Sequence, residues 1–154
     1  MVVYATLCYI LTNGKVLLLK KSEGLFGGGR WNGLGGKIDK GEMPEQACVR
    51  EVFEESGLRI DKLRNHGLLK FWFGNNFDWV VHVFSTNSYE GELKESTEGI
   101  LEWIDLDKIP HDEMWEDDIH WLPLLLKGKS FEGEFHYNSE GSKLLDYKIH
   151  EIAP

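Results

Sequence analysis

The chain has 154 residues, a length that fits one domain large enough to bury a hydrophobic core. Hydrophobic residues make up 42% of it and the formal net charge is −9, which favours a packed globular protein over a disordered one. The acidic balance argues against a nucleic-acid polymer as partner, because such binders present basic surfaces. No apolar run approaches the ~20 residues of a membrane helix, so we expect no membrane association.

The N-terminal region predicts a β-hairpin followed by a glycine-rich loop. Residues 2–11 are rich in β-branched and aromatic side chains, and Asn13-Gly14 is a strong hairpin-turn signal before a returning strand at 16–19. Residues 23–36 contain seven glycines. Such a loop takes positive φ angles or brings its backbone close to another group.

The rest of the chain predicts two helices among several strands. A helix is expected from 44 to about 56, because Pro44 suits a first turn and Gly57 a C-terminal end. A second helix is expected at 117–127, begun by two aspartates that suit the helix dipole. Strand patterns occupy 67–73, 79–86, 101–104, 131–137 and 145–149. Without a βαβ rhythm, this order predicts an α+β fold, a sheet covered by helices, in a single domain spanning 1–154.

The first predicted helix has two unlike faces. On a helical wheel of about 100° per residue, one arc carries the carboxylates of Glu51, Glu54 and Glu55. The other arc is apolar and is expected to pack on the core; it contains Cys48, Val49, Val52 and Phe53. Carboxylates three and four residues apart repel each other, and a hard divalent cation would reverse that effect. Taken alone, the three glutamates are better explained by a solvated acidic face.

A longer pattern around these glutamates resembles the Nudix box, G-x5-E-x7-R-E-U-x-E-E-x-G-U, where U is apolar. Every fixed position is matched, by Gly36, Glu42, Arg50, Glu51, Val52, Glu54, Glu55, Gly57 and Leu58. A complete match over residues 36–58 favours a metal-binding helix over a solvated one.

The resemblance implies both a fold and a reaction. The fold is an α/β/α sandwich around a mixed β-sheet, with the box as a loop–helix–loop. The reaction is an attack of water on a phosphorus of a nucleoside diphosphate derivative, with Mg²⁺ or Mn²⁺ as cofactor. Arg50 and Glu42 would orient the metal ligands. Those implied ligands are Glu51, Glu54, Glu55 and the carbonyl of Gly36.

Segments outside the box resemble the animal-type branch of the MutT family, the oxidised purine nucleoside triphosphate hydrolases. The likeness is carried by W-N-G-L-G-G-K at 31–37, M-W-E-D-D at 114–118 and W-L-P-L-L-L at 121–126. It implies that four residues bind the damaged base: Asn32, Trp115, Asp117 and Asp118. A tryptophan offers a stacking face, an amide pairs with a purine edge, and two adjacent buried carboxyls share a proton. The alternatives are that the two aspartates only begin a helix, that Trp115 is a core residue, and that Asn32 only serves the glycine-rich loop.

Further site positions follow from the same likeness. Glu98 is expected as a metal ligand or base, with a plain acidic loop as the alternative. Lys37 is expected among the substrate-binding residues. Three aromatic residues are expected in the pocket, with core packing equally open: Phe26, Phe71 and Phe73. Trp79 is a departure, because the family has a smaller apolar residue there.

The sequence therefore predicts a Nudix enzyme that converts substrates such as 8-oxo-dGTP to the monophosphate and pyrophosphate, sanitising the nucleotide pool. Its partner would be a small nucleotide, and the protein a monomer or weak homodimer. We interpret Cys8 and Cys48 as reduced core residues, with the cytoplasm as the default compartment. Two alternatives remain: a Nudix hydrolase of ADP-ribose, a dinucleotide or an undamaged nucleotide, and a nucleotide sensor without turnover.

Overall fold

The structure is a computed structural model that describes residues 2–153, without the side chains of 76 and 77. These residues form ten strands and two α-helices. The helices are α1, Pro44–Ser56, and α2, Asp118–Leu126. The strands are β1 Val3–Thr12, β2 Lys15–Lys21, β3 Trp31–Asn32, β4 Arg59–Asp61, β5 Arg64–Phe73, β6 Asn76–Thr86, β7 Ser88–Glu90, β8 Gly99–Asp105, β9 Ser130–Tyr137 and β10 Leu144–Ile152. Two 3₁₀ turns, Leu106–Lys108 and His111–Glu113, precede α2.

Eight of these strands form one mixed sheet. Its order is β10-β9-β5-β6-β1-β2-β3, and β8 also pairs with β2. The β1–β6 and β5–β9 pairs are parallel, and the others in the sheet are antiparallel. The short strands β4 and β7 pair separately. The sequence patterns predicted neither of them, nor β3, because two or three residues are too few to show strand alternation.

The alternation of side chains along β1 gives the sheet a core on each face. Ala5 and Tyr9 belong to the core cluster that also contains Trp121, Leu122 and Leu125 of α2. Cys8 and Ile10, at the intervening positions, belong to the cluster with Cys48 and Val52 of α1. Each helix therefore covers one face of the sheet, and the predicted α/β/α sandwich is confirmed.

The predicted hairpin is also confirmed. Strands β1 and β2 pair with Leu11 opposite Val16, and the turn residues Asn13 and Gly14 have φ values of 50° and 75°. Two positive φ angles in succession are the geometry of a type I′ turn, which matches the twist of the flanking strands. Both cysteines are free and buried.

Helix α1 has the predicted bounds, but its apolar arc does not lie where the helical wheel placed it. Gly57 ends the helix in the left-handed conformation, and its N–H donates to the carbonyl of Phe53 at 2.9 Å. Cys48 and Val52 are buried as expected, whereas Val49 and Phe53 are 37% and 39% exposed. The prediction that these last two pack on the core is wrong. Phe53 instead lies under two exposed cations, since Arg59 and Lys94 stand 4.8 and 5.4 Å from its ring.

Among residues 2–153, no helix is long and apolar enough to cross a membrane.

Candidate active site

A cavity of about 640 Å³ opens between the sheet, the glycine-rich loop and the two helices. One end is lined by the acidic side chains of Glu51, Glu55 and Glu98, and the other by aromatic rings and two aspartates. Most of the residues predicted for the site line it: Phe26, Asn32, Gly36, Lys37, Glu51, Glu55, Phe71, Phe73, Glu98, Trp115, Asp117 and Asp118. Arg50 and Glu54 are outside this lining. The structure thus joins the predicted metal end and the predicted base end in one cavity.

Arg50 organises the acidic end of the cavity. Its Nε donates to Glu42 at 2.8 Å, its Nη1 to Glu51 at 2.8 Å, and its Nη2 to the carbonyl of Lys37 at 3.1 Å. The bond from Arg50 lowers the pKa of Glu42 to about 2. Glu42 and Arg50 therefore form a charged clamp that ties α1 to the loop before it.

Two glycines bring the loop close to this clamp. Residues 34–38 run beside β1, where the N–H of Thr6 donates to the carbonyl of Gly36 at 2.9 Å. A Cβ on Gly36 would lie 2.7 Å from the carboxyl carbon of Glu51, and one on Gly35 would lie 2.0 Å from the carbonyl oxygen of Thr6. Gly35 is therefore required for steric reasons, and a side chain at Gly36 would displace the Glu51 carboxylate. The Gly36 carbonyl retains its second lone pair for an ion.

Glu55 and Glu98 face each other across the buried part of the acidic end. Glu55 is only 5% exposed and accepts a hydrogen bond from the N–H of Gly35 at 2.8 Å. Burial and the hydrogen bond with Glu98 raise the pKa of Glu55 to about 9. The two carboxyls therefore share a proton in the metal-free protein, in a place where a divalent cation can replace that proton.

These residues fit a divalent cation in kind, although they are not gathered around one point. In the described part of the chain, no three His, Cys, Asp or Glu side chains are arranged to hold an ion. The guanidinium of Arg50 contacts Glu51 and approaches Glu54, whose side chain is 55% exposed, at 3.4 Å. Of the predicted glutamate ligands, the structure brings Glu51, Glu55 and Glu98 to the cavity and leaves Glu54 at its outer edge.

The other end of the cavity is lined by aromatic rings. Phe26, on the glycine-rich loop, is 61% exposed. Its ring centroid lies 5.5 Å from that of Trp115, 6.2 Å from that of Phe73, and 5.7 Å from that of Trp79, on which it stacks. Trp79, the departure from the family, therefore adds a large ring to the cavity wall.

Asp117 and Asp118, at the start of α2, are both buried but have different partners. Asp117 accepts hydrogen bonds from Trp121 Nε1 at 2.7 Å and from the Tyr137 hydroxyl at 2.5 Å. Its own N–H donates to that hydroxyl at 3.0 Å. Burial and the charge of Asp117 raise the pKa of Asp118 well above its usual value. The pair therefore holds one proton, and that proton resides on Asp118.

Sequence reasoning missed several residues of the cavity and its support. Thr6 and Lys21 line the cavity, and the Thr6 hydroxyl is buried without a partner among the described residues. Trp121 and Tyr137 support Asp117 from behind. Thr6 stands in a strand whose pattern indicates core packing, and Tyr137 is distant in the sequence, so no local signal marks either. Lys21 is the last residue of β2, a position where a lysine commonly meets solvent, so it gives no signal of a site either.

Comparison with known proteins agrees with this geometry. The NUDIX domain model matches residues 1–125, and the chain belongs to the Nudix family. It is 45% identical over 148 residues to an oxidized purine nucleoside triphosphate hydrolase of Danio rerio, covering 96% of this chain and 94% of that protein. The Mus musculus protein of the same name is 41% identical over the same shares.

A solved structure supports the fold over nearly the whole chain. The crystal structure of a MutT protein from Bacillus halodurans superimposes with a TM-score of 0.86 at 28% identity, and covers 96% of this chain and 97% of that one. The mixed sheet between two helices is therefore the Nudix fold of MutT proteins.

Proposed function

We propose that this protein hydrolyses oxidised purine nucleoside triphosphates, such as 8-oxo-dGTP, to the nucleoside monophosphate and pyrophosphate. The observation that carries the proposal is one shared cavity, with Glu51, Glu55 and Glu98 at one end and Asn32, Trp115 and Asp118 at the other. The names of the relatives from Danio rerio and Mus musculus support it. The resulting role is sanitation of the nucleotide pool.

The acidic end would hold Mg²⁺, or Mn²⁺, through Glu51, Glu54, Glu55, Glu98 and the Gly36 carbonyl. A bound cation supplies charge neutralisation at the phosphate oxygens and lowers the pKa of an attacking water. Arg50 keeps Glu51 at the loop, and the proton shared by Glu55 and Glu98 leaves as the ion binds. Lys21 and Lys37 line the same cavity and offer positive charge to a triphosphate.

The aromatic end would bind the base. Trp115 offers a stacking face, and the neighbouring ring of Phe26 adds apolar surface to the same end of the cavity. The protonated Asp118 donates to an acceptor on the purine edge. One amide proton of Asn32 is used in a hydrogen bond of 3.3 Å to the carbonyl of Arg30. The other amide proton and the amide oxygen are left for a ligand, so Asn32 can both donate and accept.

Two free, buried thiols support a reducing compartment, and we assign the protein to the cytoplasm as a single domain. Its partner is a small nucleotide, and we propose a monomer or weak homodimer.

A hydrolysis panel tests the proposed function. The purified protein with Mg²⁺ is given oxidised and undamaged purine triphosphates, ADP-ribose and a dinucleoside polyphosphate, and the products are separated. We expect the highest kcat/KM for an oxidised purine triphosphate, with pyrophosphate as the first inorganic product. Orthophosphate as first product, or preference for ADP-ribose, would contradict the proposal.

A further inference from the structure

The indole of Trp115 is covered by a cation that does not belong to the cavity. The guanidinium carbon of Arg30 lies 4.2 Å from the centre of the Trp115 ring, within the range of a cation–π contact. Among the described residues, Trp115 lines the cavity and Arg30 does not. Since the guanidinium occupies one face of the indole, a base that stacks in the cavity must use the other face.

The edges of the same indole are enclosed by glycine turns. A Cβ on Gly27 would lie 3.2 Å from both Cζ2 and Nε1 of Trp115, and one on Gly141 would lie 3.3 Å from Cζ3. Both glycines have positive φ, at 76° and 72°. Close turns at two edges and a cation on one face leave the ring little freedom to tilt.

Arg30 also contacts the second base-binding residue through its backbone. Its carbonyl accepts a hydrogen bond from Nδ2 of Asn32 at 3.3 Å and another from the N–H of Lys21 at 3.0 Å. The Lys21 bond anchors the carbonyl to strand β2. The Asn32 amide is thereby held with its oxygen available to a ligand.

We propose that Arg30 is a positioning residue for base recognition, which sets the plane of Trp115 with its guanidinium and the orientation of Asn32 with its carbonyl. The inference rests on the proposed function for the identity of the base, but the placement of the two side chains is independent of it. Arg30 then contributes to affinity for the base and leaves the rate of the chemical step unchanged.

The test compares three variants by steady-state kinetics. Arg30→Met keeps a long side chain and removes the charge, while Arg30→Lys keeps a charge. The matched control is Arg59→Met, because Arg59 makes the same kind of contact with Phe53 at 4.8 Å, away from the cavity. Arg30→Met should raise KM by about three- to thirty-fold with kcat nearly unchanged, the range expected for losing a cation–π contact. The KM of Arg30→Lys should lie between those of wild type and Arg30→Met. The KM and kcat of the Arg59→Met control should match those of wild type.

A second measurement separates base positioning from a direct phosphate contact. The inhibition constant of the corresponding nucleoside, which has no phosphate, should rise in Arg30→Met by the same factor as KM. An unchanged nucleoside inhibition constant would overturn the proposal, as would a fall in kcat with KM unchanged. If Arg30→Met does not fold, Arg30→Lys and its nucleoside inhibition constant decide alone.

The substrate for this test is whichever purine triphosphate the wild-type protein hydrolyses best. A preference for an undamaged purine would then contradict the proposed function, and the comparison among variants would still decide the role of Arg30.

Discussion

Asp117 and Asp118 are adjacent and almost equally buried, yet their surroundings give them different chemistry. Both oxygens of Asp117 already accept hydrogen bonds from Trp121 and Tyr137, so its carboxylate is used within the fold. Asp118 lines the cavity and carries the proton. Sequence likeness treats the two as one base-binding pair. Both side chains line the cavity, but the hydrogen bonds of Asp117 lead us to expect that it mainly supports the site and that Asp118 contacts the base.

Replacing Asp118 by alanine should therefore affect specificity more than stability. The variant loses the donor that a buried site was built around, so kcat/KM for 8-oxo-dGTP should fall by about 5- to 150-fold while that for dGTP changes much less. Some loss of stability is also expected, because Asp118 is buried and its carboxyl hydrogen-bonds that of Asp117. The ratio of the two kcat/KM values and the melting temperature are the measurements.

The Asp117→Asn variant provides the contrasting control. An amide in place of the carboxylate presents a donor to Trp121 or Tyr137, so one buried hydrogen bond is lost. We expect the free energy of unfolding to decrease by about 1–3 kcal/mol in urea titrations. An unchanged substrate ratio in Asp118→Ala, together with a large loss of stability, would assign Asp118 to the structure of the helix start instead.

At this scale, motif likeness predicted most of its site residues within the cavity lining, but not Thr6 or Lys21, and not the residues that support Asp117. Asn32, Trp115 and the box glutamates were found because their order and spacing are a family pattern. Trp121 contacts Asp117 one helical turn away, while Arg30, Thr6 and Tyr137 make contacts with segments distant in sequence. Such contacts leave no periodicity and no spacing in the sequence, so only the folded arrangement reveals them.

Among the elements, helix α1 shows what a helical wheel can and cannot predict. Its bounds were predicted correctly because Pro44 and Gly57 are local signals that act within one turn. The buried face of α1 was predicted only in part. A helical wheel gives the direction of each side chain but not how far the neighbouring sheet extends around the helix. Val49 and Phe53 lie beyond the edge of that contact and remain over a third exposed.

The carboxylate face of α1 gives a prediction that separates catalysis from folding. Glu54 is exposed and contacts only the Arg50 side chain among the described residues, at 3.4 Å, so Glu54→Gln should leave the melting temperature unchanged. If Glu54 ligates the cation, the same variant should lose several orders of magnitude in kcat at saturating Mg²⁺. Retention of more than about a tenth of wild-type activity would remove Glu54 from the ligand set. Glu45→Gln, on the first turn of the same helix and outside the cavity lining, is the control.

At the scale of the whole molecule, the net charge of −9 is unfavourable for the binding of an anionic ligand. The proposed triphosphate would approach a strongly acidic protein, and Glu51, Glu55 and Glu98 line the cavity that it would enter. Arg50 is already committed to Glu42 and Glu51. A divalent cation between these carboxylates and the proposed triphosphate would reduce their repulsion, in addition to the positive charge of Lys21 and Lys37. The acidic composition argues against a nucleic-acid polymer as ligand, but it could not show where the acidic groups converge.

Global stability should also depend on one buried histidine that links neighbouring strands of the sheet that are far apart in sequence. His66, in β5, is 1% exposed, and its ring nitrogens contact the Lys129 carbonyl at 2.7 Å and the Ser85 hydroxyl at 2.6 Å. Burial lowers the pKa of His66, so the ring is neutral in the folded protein. An unfolded chain binds a proton there below about pH 6.5, and the folded protein does not. Stability from this residue is thus present above that pH and is lost as the pH falls.

The measurement is the free energy of unfolding in urea at pH 7.5 and 5.5, for wild type and for His66→Gln. We expect wild type to lose about 1 kcal/mol more than the variant between the two pH values. His82 and His111, whose pKa values are also lowered by burial, remain in both proteins and cancel in the difference. Equal losses in the two proteins would mean that His66 accepts a proton without leaving its place between β5, β6 and β9, and the burial argument for it would be wrong.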